Sequence, residues 1–118
     1  MSYGSSRTVV PVTIAISTTT SAEVNIGHKR IAGIQMPAAW TAGTIAFQAL
    51  VSQNAAGAPT FGNVVDGTGA VITTGATPTA GTYLALAPTL ALAGLGRIKV
   101  VAGASQAAQR DFFLVLVD

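Results

Sequence analysis

The sequence predicts an all-β protein, an antiparallel sandwich or barrel of about eight or nine short strands. Three observations carry this. Apolar side chains alternate with polar or small ones at a period of two in the clearest segments, Val10 to Ser17 and Thr44 to Ser52. Clusters of Gly, Pro, Asn, Asp, Ser and Thr interrupt such segments roughly every 10 residues, a spacing typical of sandwiches and barrels. Long helical periodicity is absent, and 22 Ala, 15 Thr and 13 Gly in 118 residues follow no fixed repeat that would mark a solenoid.

Residues 1–8 read as a flexible arm, because Met1 to Ser6 is small and polar. Residues 9–118 read as one domain. From Val10 the first strand puts Val10, Val12, Ile14 and Ile16 on one face, and β-branched residues suit such a buried face. Pro11 has no N–H for a ladder, so this strand belongs at a sheet edge or at a strand start. Thr18 to Ser21 is a turn, and Ala22 to Ile26 is a short strand ended by Gly27-His28-Lys29. Arg30 to Met36 follows, with Ala32, Ile34 and Met36 facing in. Pro37 to Gly43 turns a corner of small residues closed by the one Trp of the chain, Trp40. Thr44 to Ser52 is the clearest strand, with Ile45, Phe47, Ala49 and Val51 on one face.

Gln53 to Pro59 is a loop, Phe61 to Val65 a strand, and Asp66-Gly67-Thr68-Gly69 a hairpin signal leading to a return over Ala70 to Thr74. Gly75 to Gly81 is a loop and Thr82 to Ala87 a strand. Pro88 to Leu95 can form a short helical turn with Pro88 at its first position. Arg97 to Ala102 and Asp111 to Val117 are the last strands, joined by a loop from Gly103 to Arg110. In the final strand Phe112, Leu114 and Leu116 share one face, and Phe113, Val115 and Val117 share the other. A strand apolar on both faces is covered on both, here either by its own chain or by a second subunit.

Charge is sparse. Asp, Glu, Lys and Arg make up 8% of the chain, against about 25% in ordinary soluble domains, so little keeps neighbouring copies apart. A net charge of +2 with no basic patch or stacking platform argues against nucleic acid. The longest apolar run, Leu84 to Leu95, is too short to cross a membrane and contains Pro88, and the N-terminus lacks a secretory pattern. These features predict synthesis in the cytoplasm and no membrane partner. The absence of Cys excludes disulfides and thiolate metal sites.

Catalytic chemistry has few residues to draw on. His28, the single His, lies in a Gly-His-Lys-Arg turn and reads as solvent-facing. Glu23, Asp66, Asp111 and Asp118 are scattered, with no spacing that marks a carboxylate pair or a hard-cation site. The Gly-rich stretches lack the Lys and the strand-to-helix setting of phosphate loops. The reading is a non-enzymatic chain with no catalytic, cofactor or metal site. One His cannot build the His/Glu cluster of a metal-binding jelly roll of the cupin type. The candidate interface residues are Arg7, Arg97 and Arg110, whose planar forks suit ion pairs between subunits, with Phe113, Val115 and Val117 on the second apolar face.

Four pieces of the chain resemble small virion proteins of tailed bacteriophages. They are Gly33-Ile34-Gln35-Met36-Pro37-Ala38-Ala39-Trp40-Thr41-Ala42, Thr44-Ile45-Ala46-Phe47-Gln48-Ala49, Gly81-Thr82-Tyr83-Leu84-Ala85-Leu86, and Arg97 to Arg110 leading into the terminal apolar strand. The resemblance covers most of the chain from residue 30 onward and implies a jelly-roll-like β-sandwich on an icosahedral head. It implies a capsid decoration or cement protein, a homotrimer that clamps the major capsid protein from the outer surface of the virion head. Multivalent attachment would make weak contacts strong, and binding only the mature shell would stabilise it by mass action. The alternative it leaves is a head-spike base, fibre or tail-associated domain involved in host-surface binding.

Overall fold

The structure of the chain, a computed structural model, describes residues 7–53, 59–86 and 95–117. Residues 1–6, 54–58, 87–94 and 118 lie outside the described residues, and with them all but the last residue of the helical turn expected from Pro88 to Leu95. Eight antiparallel strands form two four-stranded sheets: β1 (Arg7–Ile14), β2 (Val24–Gly27), β3 (Arg30–Gln35), β4 (Ile45–Gln53), β5 (Pro59–Asn63), β6 (Tyr83–Ala85), β7 (Gly96–Ala102) and β8 (Arg110–Val117). One sheet has the order β1-β8-β3-β6 and the other β2-β7-β4-β5. First pairs with last, second with seventh, third with sixth and fourth with fifth. The fold class expected from the alternating pattern is therefore present, as a sandwich.

The core lies between the sheets. Val12, Ile14, Ile31, Ile34, Phe112, Leu114 and Leu116 from the first meet Val24, Ile26, Ile45, Phe47, Ile98 and Val100 from the second. Each fully buried branched side chain contributes about 1.5–3 kcal/mol by leaving water. Trp40 packs against this core from the corner after β3, edge-on to Phe112 with ring centroids 5.9 Å apart, and its Nε1–H donates to the Gly43 carbonyl at 3.1 Å. Pro11 sits on an edge strand, as its missing donor requires.

Several details depart from the pattern the sequence predicts. Ile16 is 58% exposed because β1 ends at Ile14 and the chain turns through Ser17 at φ 64°. In β3 the register shifts between Ile31 and Gly33, so Ile31 takes the buried place expected of Ala32. A second shift, between Leu50 and Ser52, turns Val51 out to 63% exposure. Such bulges insert one residue and reverse the faces beyond it. The return over Ala70 to Thr74 makes only the isolated bridges Val65–Val71 and Ala46–Thr73. Arg7 and Thr8, expected in the arm, are the first residues of β1 and pair with Val117 and Leu116.

Candidate functional site

Register places the outward side chains of the β1-β8-β3-β6 sheet in rows. Arg7, Val117 and Arg30 form the first. Val9, Val115, Gly33 and Ala85 form the second, and Pro11, Phe113, Gln35 and Tyr83 the third. Thr13 and Asp111 close the face. Its middle is apolar and open: Val9 is 52% exposed, Phe113 42% and Tyr83 45%. Two arginines stand at one end and a carboxylate at the other.

Gly33 gives this surface its relief. A Cβ there would collide with the Tyr83 ring and lie 2.8 Å from the Leu84 carbonyl oxygen. The missing side chain lets Tyr83 lie back over Gly33 on β3. Val115 itself is 3% exposed and stands outside the inter-sheet core cluster. This corrects its reading as a contact residue: it is already covered within its own chain and forms the floor of the face. Phe113 protrudes and Val117 is half-buried.

The three candidate arginines separate. Arg7 is exposed on this face. Arg97 lies on the other sheet and donates to Glu23 of its own chain at 2.8 Å, both side chains about one-third exposed. Arg110 turns back into the loops, with Nε 3.2 Å from Gln106 Oε1 and Nη2 3.2 Å from Thr41 Oγ1. Arg97 and Arg110 therefore both bond within the chain, on elements apart from the face that carries Arg7.

Gln106 is the residue the sequence reading passed over. It is 1% exposed, and every polar atom of its side chain is bonded. It ties the 103–109 loop to the corner at Thr41, while its backbone bonds Ser17 and Thr18. Strand spacing gives no signal for a Gln buried in a loop.

Elsewhere the chemistry is thin. An open cleft of about 430 Å³ is lined by Asp66, Val71, Ile72 and Thr73. Asp66 Oδ1 accepts from Thr68 Oγ1 at 2.6 Å, Thr68 N at 2.8 Å and Ala70 N at 3.2 Å. The Thr68 hydroxyl first, then these amides, hold its carboxyl below the ordinary value of 3.8. That arrangement orders a turn. Lys99 lies over the Phe61 ring at 4.7 Å on the opposite sheet. His28 is exposed in its turn. Among the described residues no three His, Cys, Asp or Glu gather as a metal site, and no helix is long and apolar enough to cross a membrane. No family model, curated protein or solved structure matches the chain.

Proposed function

We propose that this chain is a structural virion protein, a decoration or cement protein that binds the outside of an icosahedral phage head and stabilises the shell. One observation carries the reading: the outer face of the β1-β8-β3-β6 sheet holds Val9, Pro11, Phe113 and Tyr83 in adjoining rows. A freely soluble domain would mix charge into such a face. Two further features support it. The nested pairing of first with last and second with seventh strand, across two four-stranded sheets, supports reading the sandwich as jelly-roll-like. The segments around Trp40 and leading into β8 are those that resemble small phage virion proteins.

In this reading the protein acts through surfaces, with no reaction and no cofactor. Its partners are the major capsid protein and further copies of itself, and its place is the outer head surface. The homotrimer implied by the resemblance would set three copies over a symmetry axis of the shell. The test adds purified protein to heads that lack it and follows their disruption by heat or chelator. Decorated heads should survive to a higher temperature. Equal resistance, or no binding, would count decisively against the proposal.

A second reading, a spike-base, fibre or tail-associated domain that contacts the host surface, draws on Phe113, Gln35 and Tyr83. They line up as aromatic, amide, aromatic across three strands, a layout suited to sugar rings. Binding on a glycan array, abolished by Tyr83→Ala, would favour it.

A further inference from the structure

We propose that the outer face of the β1-β8-β3-β6 sheet recognises the same face of a second copy, packed with its strands antiparallel to the first; this rests on the reading of the chain as an assembly protein and puts a two-fold pair in solution where the resemblance implies a homotrimer on the head.

The argument begins with charge. Arg7 and Arg30 stand on either side of Val117, because both pair with it across β8. Among the described residues neither has a carboxylate partner. Asp111 lies at the other end of β8. It accepts from Thr13 Oγ1 at 2.7 Å and Gln109 Nε2 at 3.2 Å, both neutral donors, and no described cation reaches it. Among the described residues the face is therefore positive at one end and negative at the other, with an apolar middle, over about 20 Å of strand.

A two-fold axis crossing the strands at the level of Val10 and Leu114 makes that layout self-complementary. On β1 it exchanges position 7 with 13, and on β8 position 111 with 117. Asp111 of the second copy then lies opposite Val117, between Arg7 and Arg30. Shapes match as well. Phe113 meets the second copy's recessed Val115, the Tyr83 ring, lying over Gly33, meets Gln35, and Val9 meets Pro11. Each large side chain faces a smaller or sunken one, as interdigitating sheets require. The two-fold alternative with parallel strands would stack arginine on arginine.

Pairing by face is also favoured over pairing by edge. Pro11 removes a donor from the free edge of β1, which blunts strand addition there. Four strands about 4.8 Å apart give a patch below the size of standard specific interfaces, so pairing should be weak and depend on concentration.

Sedimentation equilibrium of the full chain, over roughly 1–500 µM, tests this. A monomer–dimer equilibrium is expected. Arg7→Glu with Arg30→Glu, and separately Asp111→Lys, should each weaken it about tenfold by setting like charges opposite one another. Mixed together, the two variants should pair within about threefold of the parent, because each supplies the charge the other needs. Phe113→Ser should weaken pairing about tenfold with unchanged circular dichroism, and it decides the matter if Asp111→Lys fails to fold for want of its Thr13 bond. A monomer at every concentration would overturn the proposal. So would a dimer or trimer indifferent to these substitutions, or a mixture no better than its components. Head binding is scored separately. Wild-type chain that decorates heads as a monomer removes the paired face and leaves decoration standing, whereas a charge-dependent dimer that ignores heads does the reverse.

Discussion

Gln106 and Thr41, 65 positions apart, are bonded to each other twice: Gln106 Oε1 accepts from the Thr41 N–H at 3.0 Å, and Gln106 Nε2 donates to the Thr41 carbonyl at 3.3 Å. The same amide also donates to the Ala104 carbonyl at 3.0 Å and accepts from Arg110 Nε. One buried side chain thereby fixes the corner after β3 against the loop before β8. Both meet at the end of the sandwich that Trp40 closes.

Replacing Gln106 by Leu should cost about 2–3 kcal/mol, because it strands the Thr41 amide and two carbonyls away from water. Gln106→Glu should cost less, since it keeps an acceptor for Thr41 and for Arg110. Denaturant midpoints at constant slope would measure both. A Leu variant as stable as the parent would show that the node is dispensable.

The close approach of the same two loops makes a second prediction. A Cβ on Gly43 would lie 2.8 Å from the Ala104 nitrogen and 3.1 Å from the Gly103 carbonyl carbon, both backbone atoms. Neither can swing aside, so Gly43→Ala should destabilise by about 1–3 kcal/mol. Gly67 has open space around its missing side chain and no positive φ. Gly67→Ala should change stability by less than about 0.5 kcal/mol. Thermal unfolding followed through Trp40 emission gives the ranking, and equal midpoints would contradict it.

Much of the sandwich was legible because alternation is a local property. Val12, Ile14, Ile45, Phe47, Ile98, Phe112 and Leu114 announce their faces by spacing alone. The bulges were not legible. A shift between Ile31 and Gly33 changes which residue is inside, yet every residue there is acceptable in a strand. The spacing of β8 marks Phe113 and Val115 alike as outward, and it is silent on why one is 42% exposed and the other 3%. Arg97 and Arg110 could not be assigned from sequence either, since their partners Glu23 and Gln106 become neighbours only after the sheets form.

The Arg97–Glu23 pair links β7 to the approach of β2 at 2.8 Å, with both side chains about one-third exposed. Water and salt screen it, so its coupling should be below about 1 kcal/mol. A double-mutant cycle with Glu23→Gln and Arg97→Met is the measurement, repeated at low and high salt. Coupling well above that range, or unchanged by salt, would mean the pair does more than latch a short edge strand.

Asp66 sets the pH behaviour of the long connection between β5 and β6. Its carboxylate gathers the Thr68 hydroxyl and the Thr68 and Ala70 amides, which favour the charged form and hold its pKa below 3.8 in the folded chain. The sign follows from linkage. A depressed carboxylate contributes its stabilisation fully above the unfolded value and loses it as pH falls through the folded one. The turn should therefore stay ordered down to the ordinary aspartate range and loosen only in stronger acid. Amide shifts of Thr68 and Ala70 in an NMR titration should report one transition with a midpoint below 3.8. Asp66→Asn keeps an oxygen for those amides and should abolish the transition while leaving the turn formed. A midpoint at or above the ordinary value would mean that the Thr68 hydroxyl and the two amides do not favour the carboxylate.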